Sequence, residues 1–181
     1  MVQIGESYMR GRRKNNVGRV MQGNAVPLAR NNYGRATVGP WVVGIVWKPN
    51  DGSAVRFRFA IVLRRNAATM RYIITRYVAP GTEIWSDEWR AYHGIPWGPA
   101  AVPYTHRTIS HQHHFVDPIT GANTQRIESN WRAIKSAILT HTGGQMESLH
   151  RRLVEYAWRV EHRGMEFHSL IAEINRQFPQ T

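Results

Sequence analysis

The chain has 181 residues, no cysteine, and 24 Lys and Arg against 12 Asp and Glu, which gives a formal net charge of +12. This length fits one domain with a sizeable hydrophobic core. The lack of cysteine excludes a disulfide framework and a thiolate zinc site. The positive charge concentrates polyanions around the surface and predicts a nucleic-acid partner, with a merely solubilising charge as the alternative.

Membrane association is not expected from the sequence. No apolar run approaches the roughly 20 residues that a helix needs to cross a bilayer. The N-terminus lacks the apolar block of a secretory signal. We therefore predict a protein of the cell interior with no membrane partner.

A basic segment follows the first predicted strand, residues 2–6. The segment covers about residues 9–39, is rich in Gly, Asn and Arg, and has few apolar residues, so we predict an insertion in loop conformation. Because it leaves the first strand, we favour contact with phosphates over a purely solvated insertion. The residues predicted to bind nucleic acid are Arg10, Arg12, Arg13, Lys14, Arg19, Arg30 and Arg35.

Two strands, a helix and a third strand are predicted next. Residues 41–48 form an apolar run of strand length, and residues 54–62 alternate apolar side chains with arginine. Asn66 is suited to cap a helix. The buried face of this helix is predicted to comprise Met70, Ile73, Ile74 and Tyr77.

Residues 83–86 are predicted to form a short strand parallel to residues 54–62, with the helix as the crossover. Asp87 then lies at the carboxyl end of the strand, where α/β sheets hold ligands. Residues 101–109 are predicted to add another strand.

The rest of the chain is predicted to be helical. Asn123 or Thr124 is suited to cap a helix whose core-facing stripe is Ile127, Trp131, Ile134 and Ile138. Glu128 lies at the edge of that stripe. Two further helices are marked by apolar residues at helical spacing, namely Leu149, Leu153, Tyr156 and Val160, then Phe167, Leu170, Ile171 and Ile174.

Three sequence runs carry a resemblance to a known family. They are Thr82-Glu-Ile-Trp-Ser-Asp-Glu-Trp-Arg-Ala-Tyr92, His111-Gln-His-His-Phe-Val-Asp-Pro-Ile-Thr-Gly121 and Thr124-Gln-Arg-Ile-Glu-Ser-Asn-Trp-Arg-Ala-Ile-Lys135. The chain resembles DDE transposases of the Merlin type and related bacterial insertion-sequence transposases from Val2 to about Glu173. The resemblance implies one RNase H-like domain over residues 1–181, of class α/β, with a mixed central sheet, a crossover helix and C-terminal helices.

The resemblance also implies the catalytic positions. Asp87 and Glu128 match the second and third acids of the family, whereas Gly5 stands where the first Asp is expected. In intact relatives such acids bind Mg²⁺ or Mn²⁺ for DNA cleavage and strand transfer. We therefore expect weakened metal binding and impaired catalysis here. Glu6 is not expected to replace the missing acid, because adjacent strand residues point to opposite faces.

The four histidines His106, His111, His113 and His114 are predicted to belong to a polar region near the site. A zinc site is the less favoured interpretation, because no cysteine joins them and their spacing matches no standard finger.

The partners implied by the resemblance are double-stranded DNA and a second copy of the chain, since synapsis of two transposon ends suggests dimers. No separate N-terminal DNA-binding domain is expected. The protein is expected in the nucleus if eukaryotic, and otherwise in the cytoplasm at the nucleoid. The alternative function is that of a domesticated, non-enzymatic DNA-binding or assembly protein.

Overall fold

One mixed sheet organises the protein, whose computed structural model describes residues 1–9, 40–94, 102–110, 116–118, 121–141 and 146–179. Its strands are β1 (Val2–Tyr8), β2 (Trp41–Trp47), β3 (Arg56–Val62), β4 (Glu83–Asp87) and β5 (Thr105–Ile109). The helices are α1 (Ala67–Tyr77), α2 (Gln125–His141), α3 (Met146–Glu161) and α4 (Glu166–Gln177), with a 3₁₀ helix at Arg90–Tyr92.

The five strands lie in the order β3-β2-β1-β4-β5. β2 is antiparallel to both β1 and β3, whereas β4 is parallel to both β1 and β5. The carboxyl ends of β1 and β4 therefore meet at one edge. β3 and β4 run in the same direction, as predicted, so α1 is a crossover helix; β2 and β1 lie between the two strands it joins.

A hydrophobic core lies on each face of the sheet. α1 covers one face through Met70, Ile73 and Ile74, which pack against Ile4 and Ile84. α2 and α3 cover the other face, where the predicted stripe is buried and packs with Leu149 and Leu153. β2 contributes to both cores, which explains its continuous apolar run. Val43 and Ile45 of β2 belong to the core beneath α1. Val42 and Val46 belong to the core beneath α2 and α3.

Several local predictions need correction. Tyr77 is 48% exposed at the end of α1, and Val78 is buried in its place. Met9, assigned above to the basic segment, is fully buried in the core beneath α2. β5 begins only at Thr105, after Pro103, whose missing N–H cannot join a strand ladder.

The predicted cap of α1 is confirmed, because the Asn66 side chain accepts a hydrogen bond of 2.9 Å from the backbone N–H of Thr69. α4 forms where predicted, but its apolar side chains are exposed and none of its residues is buried. The mixed sheet, the crossover helix and the C-terminal helices together make an α/β fold of the RNase H type, as predicted. No helix among the described residues is long and apolar enough to span a membrane.

Candidate active site

Gly5, Asp87 and Glu128 lie around one cleft at the carboxyl edge of β1 and β4. The cleft has a volume of about 170 Å³, and Thr124, Ile127 and Trp131 complete much of its wall. Three positions that are far apart in sequence are therefore brought together by the fold.

Strand register explains why Gly5 and Asp87 are neighbours. β1 and β4 pair in parallel, with Gln3 opposite Trp85. Gly5 and Asp87 each follow these residues by two positions, so both belong to the same face of the sheet. That face is covered by α2, because a Cβ placed on Gly5 would lie 3.3 Å from Cγ2 of Ile127.

Gln3 positions the first turn of α2 and hence Glu128. Its buried side chain accepts a hydrogen bond of 3.2 Å from the backbone N–H of Ile127 and donates one of 3.1 Å to Asn123 Oδ1. The first N–H groups of a helix have no partner inside it. Thr124 lies at the predicted cap position, where its carbonyl accepts a hydrogen bond of 3.1 Å from the backbone N–H of Glu128, and Gln3 supplies the side-chain acceptor for the N–H of Ile127.

The two carboxylates have different local contacts. Thr124 donates its hydroxyl hydrogen to Oε1 of Glu128 at 2.7 Å. Oδ1 of Asp87 accepts a hydrogen bond of 3.1 Å from the backbone N–H of Trp89. Glu128 is exposed on the first turn of α2, where the positive end of the helix dipole favours a carboxylate.

Gly5 is also a packing position. It lies directly opposite Gly44 on β2, and the two glycines form a flat patch under Ile127 and Trp131. A Cβ on Gly44 would lie 2.8 Å from Cζ2 of Trp131, closer than real contacts allow. A Cβ on Gly5 would lie 3.3 Å from Ile127, so adding a Cβ there requires Ile127 to move by only a few tenths of an ångström.

Glu6 borders the cleft, but its carboxylate is engaged in other contacts. Oε2 accepts a hydrogen bond of 2.7 Å from the Tyr92 hydroxyl, and Oε1 lies 3.1 Å from Nη1 of Arg65. Burial raises the pKa of Glu6, and the nearby negative charge of Asp87 raises it further. The hydrogen bond from Tyr92 lowers this pKa and so partly offsets the effect of burial. Burial of the Tyr92 hydroxyl and the negative charge of Glu6 raise the pKa of Tyr92.

Arg65 is clamped between two aromatic rings beside Glu6. Its guanidinium carbon lies 4.1 Å from the ring centre of Trp41 and 4.2 Å from that of Trp89. Because the Trp89 backbone N–H also donates to Asp87, this cluster connects the start of α1 to the end of β4, where Asp87 lies. Sequence reasoning missed Gln3, Arg65 and Tyr92, since their partners lie more than 50 residues away along the chain.

The donor set falls short of a two-metal site. Asp87 and Glu128 offer hard oxygen ligands, and Mg²⁺ is often held by one or two carboxylates with several waters. Glu6 is the third acid that lines the cleft, but its carboxylate is held by Tyr92 and Arg65. Within the part of the chain that the structure describes, no three His, Asp or Glu side chains could together hold a metal ion.

The two ends of the basic segment lie next to each other, after β1 and before β2. The backbone N–H of Met9, just beyond β1, donates a hydrogen bond of 3.0 Å to the carbonyl of Pro40, just before β2. The chain between them therefore leaves and rejoins the sheet at the carboxyl end of β1. The predicted phosphate contacts Arg10, Arg12, Arg13, Lys14, Arg19, Arg30 and Arg35 lie outside the described residues.

His106 lies on β5, where its Nε2 is 2.9 Å from the buried Ser86 hydroxyl. Burial lowers the pKa of His106, and the charge of His93 lowers it further. This contact joins β4 and β5 just behind Asp87. The other histidines of the predicted polar region, His111, His113 and His114, lie outside the described residues.

The mixed five-stranded sheet, its crossover helix and its C-terminal helices fit the RNase H-like fold of DDE-type transposase domains. The chain belongs to the ISXO2-like transposase domain family, whose family model matches residues 1–161. α4 follows the matched residues. No match was found among curated proteins or among solved structures.

Proposed function

We propose that this chain is a transposase-derived domain that binds double-stranded DNA and whose cleavage and strand-transfer activity is impaired by Gly5. The observation that carries the proposal is the convergence of Gly5, Asp87 and Glu128 on one cleft. Two of the three positions keep a carboxylate, and the third has no side chain. The narrower relationship to Merlin-type transposases is part of the proposal and depends on the runs around Asp87 and Glu128.

Loss of one acid is expected to act on the chemistry rather than on the fold. In two-metal catalysis, carboxylates hold the ions that activate the attacking oxygen and stabilise the leaving oxygen. Asp87 and Glu128 would bind Mg²⁺ or Mn²⁺ more weakly than a complete set, because fewer charged ligands offset dehydration of the ion. DNA binding depends instead on positive charge, which Gly5 leaves unchanged.

The test compares the unmodified chain with Gly5→Asp. The unmodified chain should not nick supercoiled plasmid DNA above background in Mg²⁺ or Mn²⁺, and Gly5→Asp should bind Mn²⁺ at least about 10-fold more tightly, as measured by calorimetry. A small shift of Ile127 accommodates the added Cβ, and the adjacent cleft of about 170 Å³ is where we expect the carboxylate to lie.

Gly5→Asn is the matched control, since it has nearly the same volume as Gly5→Asp without the charge. It should perturb Ile127 equally and leave Mn²⁺ affinity unchanged. Equal Mn²⁺ binding by the Asp and Asn variants would contradict the assignment of position 5. Nicking by the unmodified chain that Asp87→Ala abolishes would contradict the proposed impairment.

The alternative candidate is a domesticated, non-enzymatic DNA-binding or assembly protein. The observation that favours it is that Gly5 has no side chain with which to bind a metal ion. The two differ in their response to metal, because a binding protein holds DNA equally well with and without Mg²⁺. In either case we propose that the protein is located where its DNA is, in a nucleus or at a nucleoid.

A further inference from the structure

α4 presents an amphipathic face that the described part of the protein leaves exposed. Phe167, Leu170, Ile171 and Ile174 recur at the spacing of one helical stripe, and they are 70%, 49%, 40% and 44% exposed. Phe178, directly after the helix, is 68% exposed. An apolar stripe of this kind normally packs against another surface.

The charged residues of α4 indicate which kind of partner can bind its apolar face. Nucleic acid is not attracted to an apolar stripe. A membrane-surface helix carries mainly Lys and Arg on its polar face, whereas α4 carries Glu166 and Glu173 with Arg176 as its one Lys or Arg. A protein surface with its own apolar stripe and mixed charge is the better complement.

A second copy of α4 supplies that complement when the two helices run antiparallel. An arrangement that puts Leu170 opposite Ile171 of the second copy also puts Phe167 opposite its Ile174. It brings Glu166, at one end of each helix, to the end that carries Arg176 in the other copy. A parallel arrangement would place like charges together at both ends, which is unfavourable.

The exposed area is in the range that a stable dimer requires. Two phenylalanines, each about two-thirds exposed, and three half-exposed aliphatic side chains provide on the order of 500 Å² per copy. A typical stable interface buries about 800 Å² per partner, of which about 65% is apolar in homodimers.

We propose that α4 is the interface through which two copies of this chain form an antiparallel, two-fold symmetric dimer. A two-fold axis passing between Leu170 and Ile171 makes the contact self-complementary, so association closes at two copies. The inference depends on α4 alone and is independent of the proposed cleavage chemistry.

Sedimentation of the full chain across a range of concentrations tests the interface. The unmodified chain should be dimeric, and Leu170→Glu with Ile174→Glu should raise the dimer dissociation constant at least about 100-fold. Both residues lie outside the two hydrophobic cores, so the sheet and the helices packed on it should stay folded, as checked by near-ultraviolet circular dichroism. Leu63→Glu with Tyr72→Glu, which replaces exposed residues outside α4, is the matched control and should leave the dimer intact.

Cross-linking tests the helix direction, and the absence of cysteine in the chain removes any background. Ile171→Cys lies near the two-fold axis and should form a disulfide-linked dimer on mild oxidation. Phe167→Cys alone should not, because its copies lie about 10 Å apart along an antiparallel pair. Mixing Phe167→Cys with Ile174→Cys chains should restore the cross-link.

A monomeric unmodified chain at all concentrations, or a dimer that survives the double Glu substitution, would overturn the proposal. Efficient cross-linking of Phe167→Cys to itself would overturn the antiparallel arrangement. Cleavage and DNA-binding assays do not enter this test, so its outcome is separable from that of the proposed function.

Discussion

Glu6 is a nearly buried carboxylate, and its surroundings make the stability of the protein depend on pH. Burial raises its folded-state pKa above 4.5, although Tyr92 and Arg65 partly oppose this effect. An acid whose pKa is raised by folding contributes most to stability when it is protonated. Its contribution is therefore present below pH 4.5 and decreases as the pH rises through the folded-state pKa.

Urea unfolding of the unmodified chain and of Glu6→Gln between about pH 4 and 7 should reveal this dependence. The free energy of unfolding of the unmodified chain, relative to Glu6→Gln, should fall as the pH rises. Glu155→Gln is the control with the opposite sign, because hydrogen bonds from Arg159 and Arg152 lower the pKa of Glu155. A pH-independent difference for Glu6→Gln would contradict the described environment.

At the scale of single residues, the sequence predicts some features of the cleft and misses others. Asp87 and Glu128 are predicted as site residues through the resemblance of the runs that contain them, and their predicted places at the end of a short strand and on a helix agree with it. The direction of Glu6 follows from strand alternation. Gly44 could not be predicted as the partner of Gly5, because cross-strand register depends on the 10–39 segment that separates the two strands.

At the scale of elements, Gln3 couples β1 to α2. It is 2% exposed, and its two hydrogen bonds hold the helix start against the sheet. Gln3→Met keeps the shape of the side chain but leaves the Ile127 N–H without its side-chain acceptor. The substitution should lower the free energy of unfolding by about 1–3 kcal/mol.

Hydrogen exchange at the Ile127 amide provides the direct measurement, since this amide should exchange faster in Gln3→Met. Gln125→Met is the matched control, because Gln125 is exposed at the start of the same helix. It should leave both stability and exchange nearly unchanged. Equal protection of Ile127 in both variants would show that Gln3 does not cap the helix.

Periodicity predicts which elements form better than it predicts what they contact. α1 and α2 show buried stripes as expected, apart from Tyr77. The stripe of α4 has the same spacing, yet it is exposed, because periodicity identifies an apolar face without identifying its partner. Likewise, the sequence predicts the strands β1 and β2 and the parallel direction of β3 and β4, but not that β1 and β2 lie between β3 and β4.

At the scale of the whole molecule, positive charge is concentrated in one segment. Residues 9–39 contain seven of the 24 Lys and Arg and no Asp or Glu, so they carry +7 of the net +12. The segment leaves the sheet after β1 and rejoins it before β2, where Met9 and Pro40 are hydrogen-bonded. Neutralising Arg10, Arg12, Arg13 and Lys14 to Gln should weaken DNA binding regardless of sequence and flatten its salt dependence by roughly 0.9 per lost phosphate contact.

Duplex affinity measured at several salt concentrations provides the comparison. The control variant neutralises four arginines in the region of α3, namely Arg151, Arg152, Arg159 and Arg163. It loses the same amount of positive charge and so controls for the effect of net charge alone. We expect a smaller change in slope for that variant. Equal slopes for the two variants would mean that the segment adds only to net charge.

The two borders of the sheet also carry positive charge. β3 and β5 are the outermost strands. β3 bears Arg56 and Arg58, and β5 bears Arg107. Outermost strands expose backbone groups that can recruit further strands into fibrils, and charged side chains there oppose such stacking. Arg56 and Arg107 are paired with Glu161 and Glu83, so both borders carry charged groups of both signs. We expect these charged side chains to disfavour pairing with strands of other copies at high concentration.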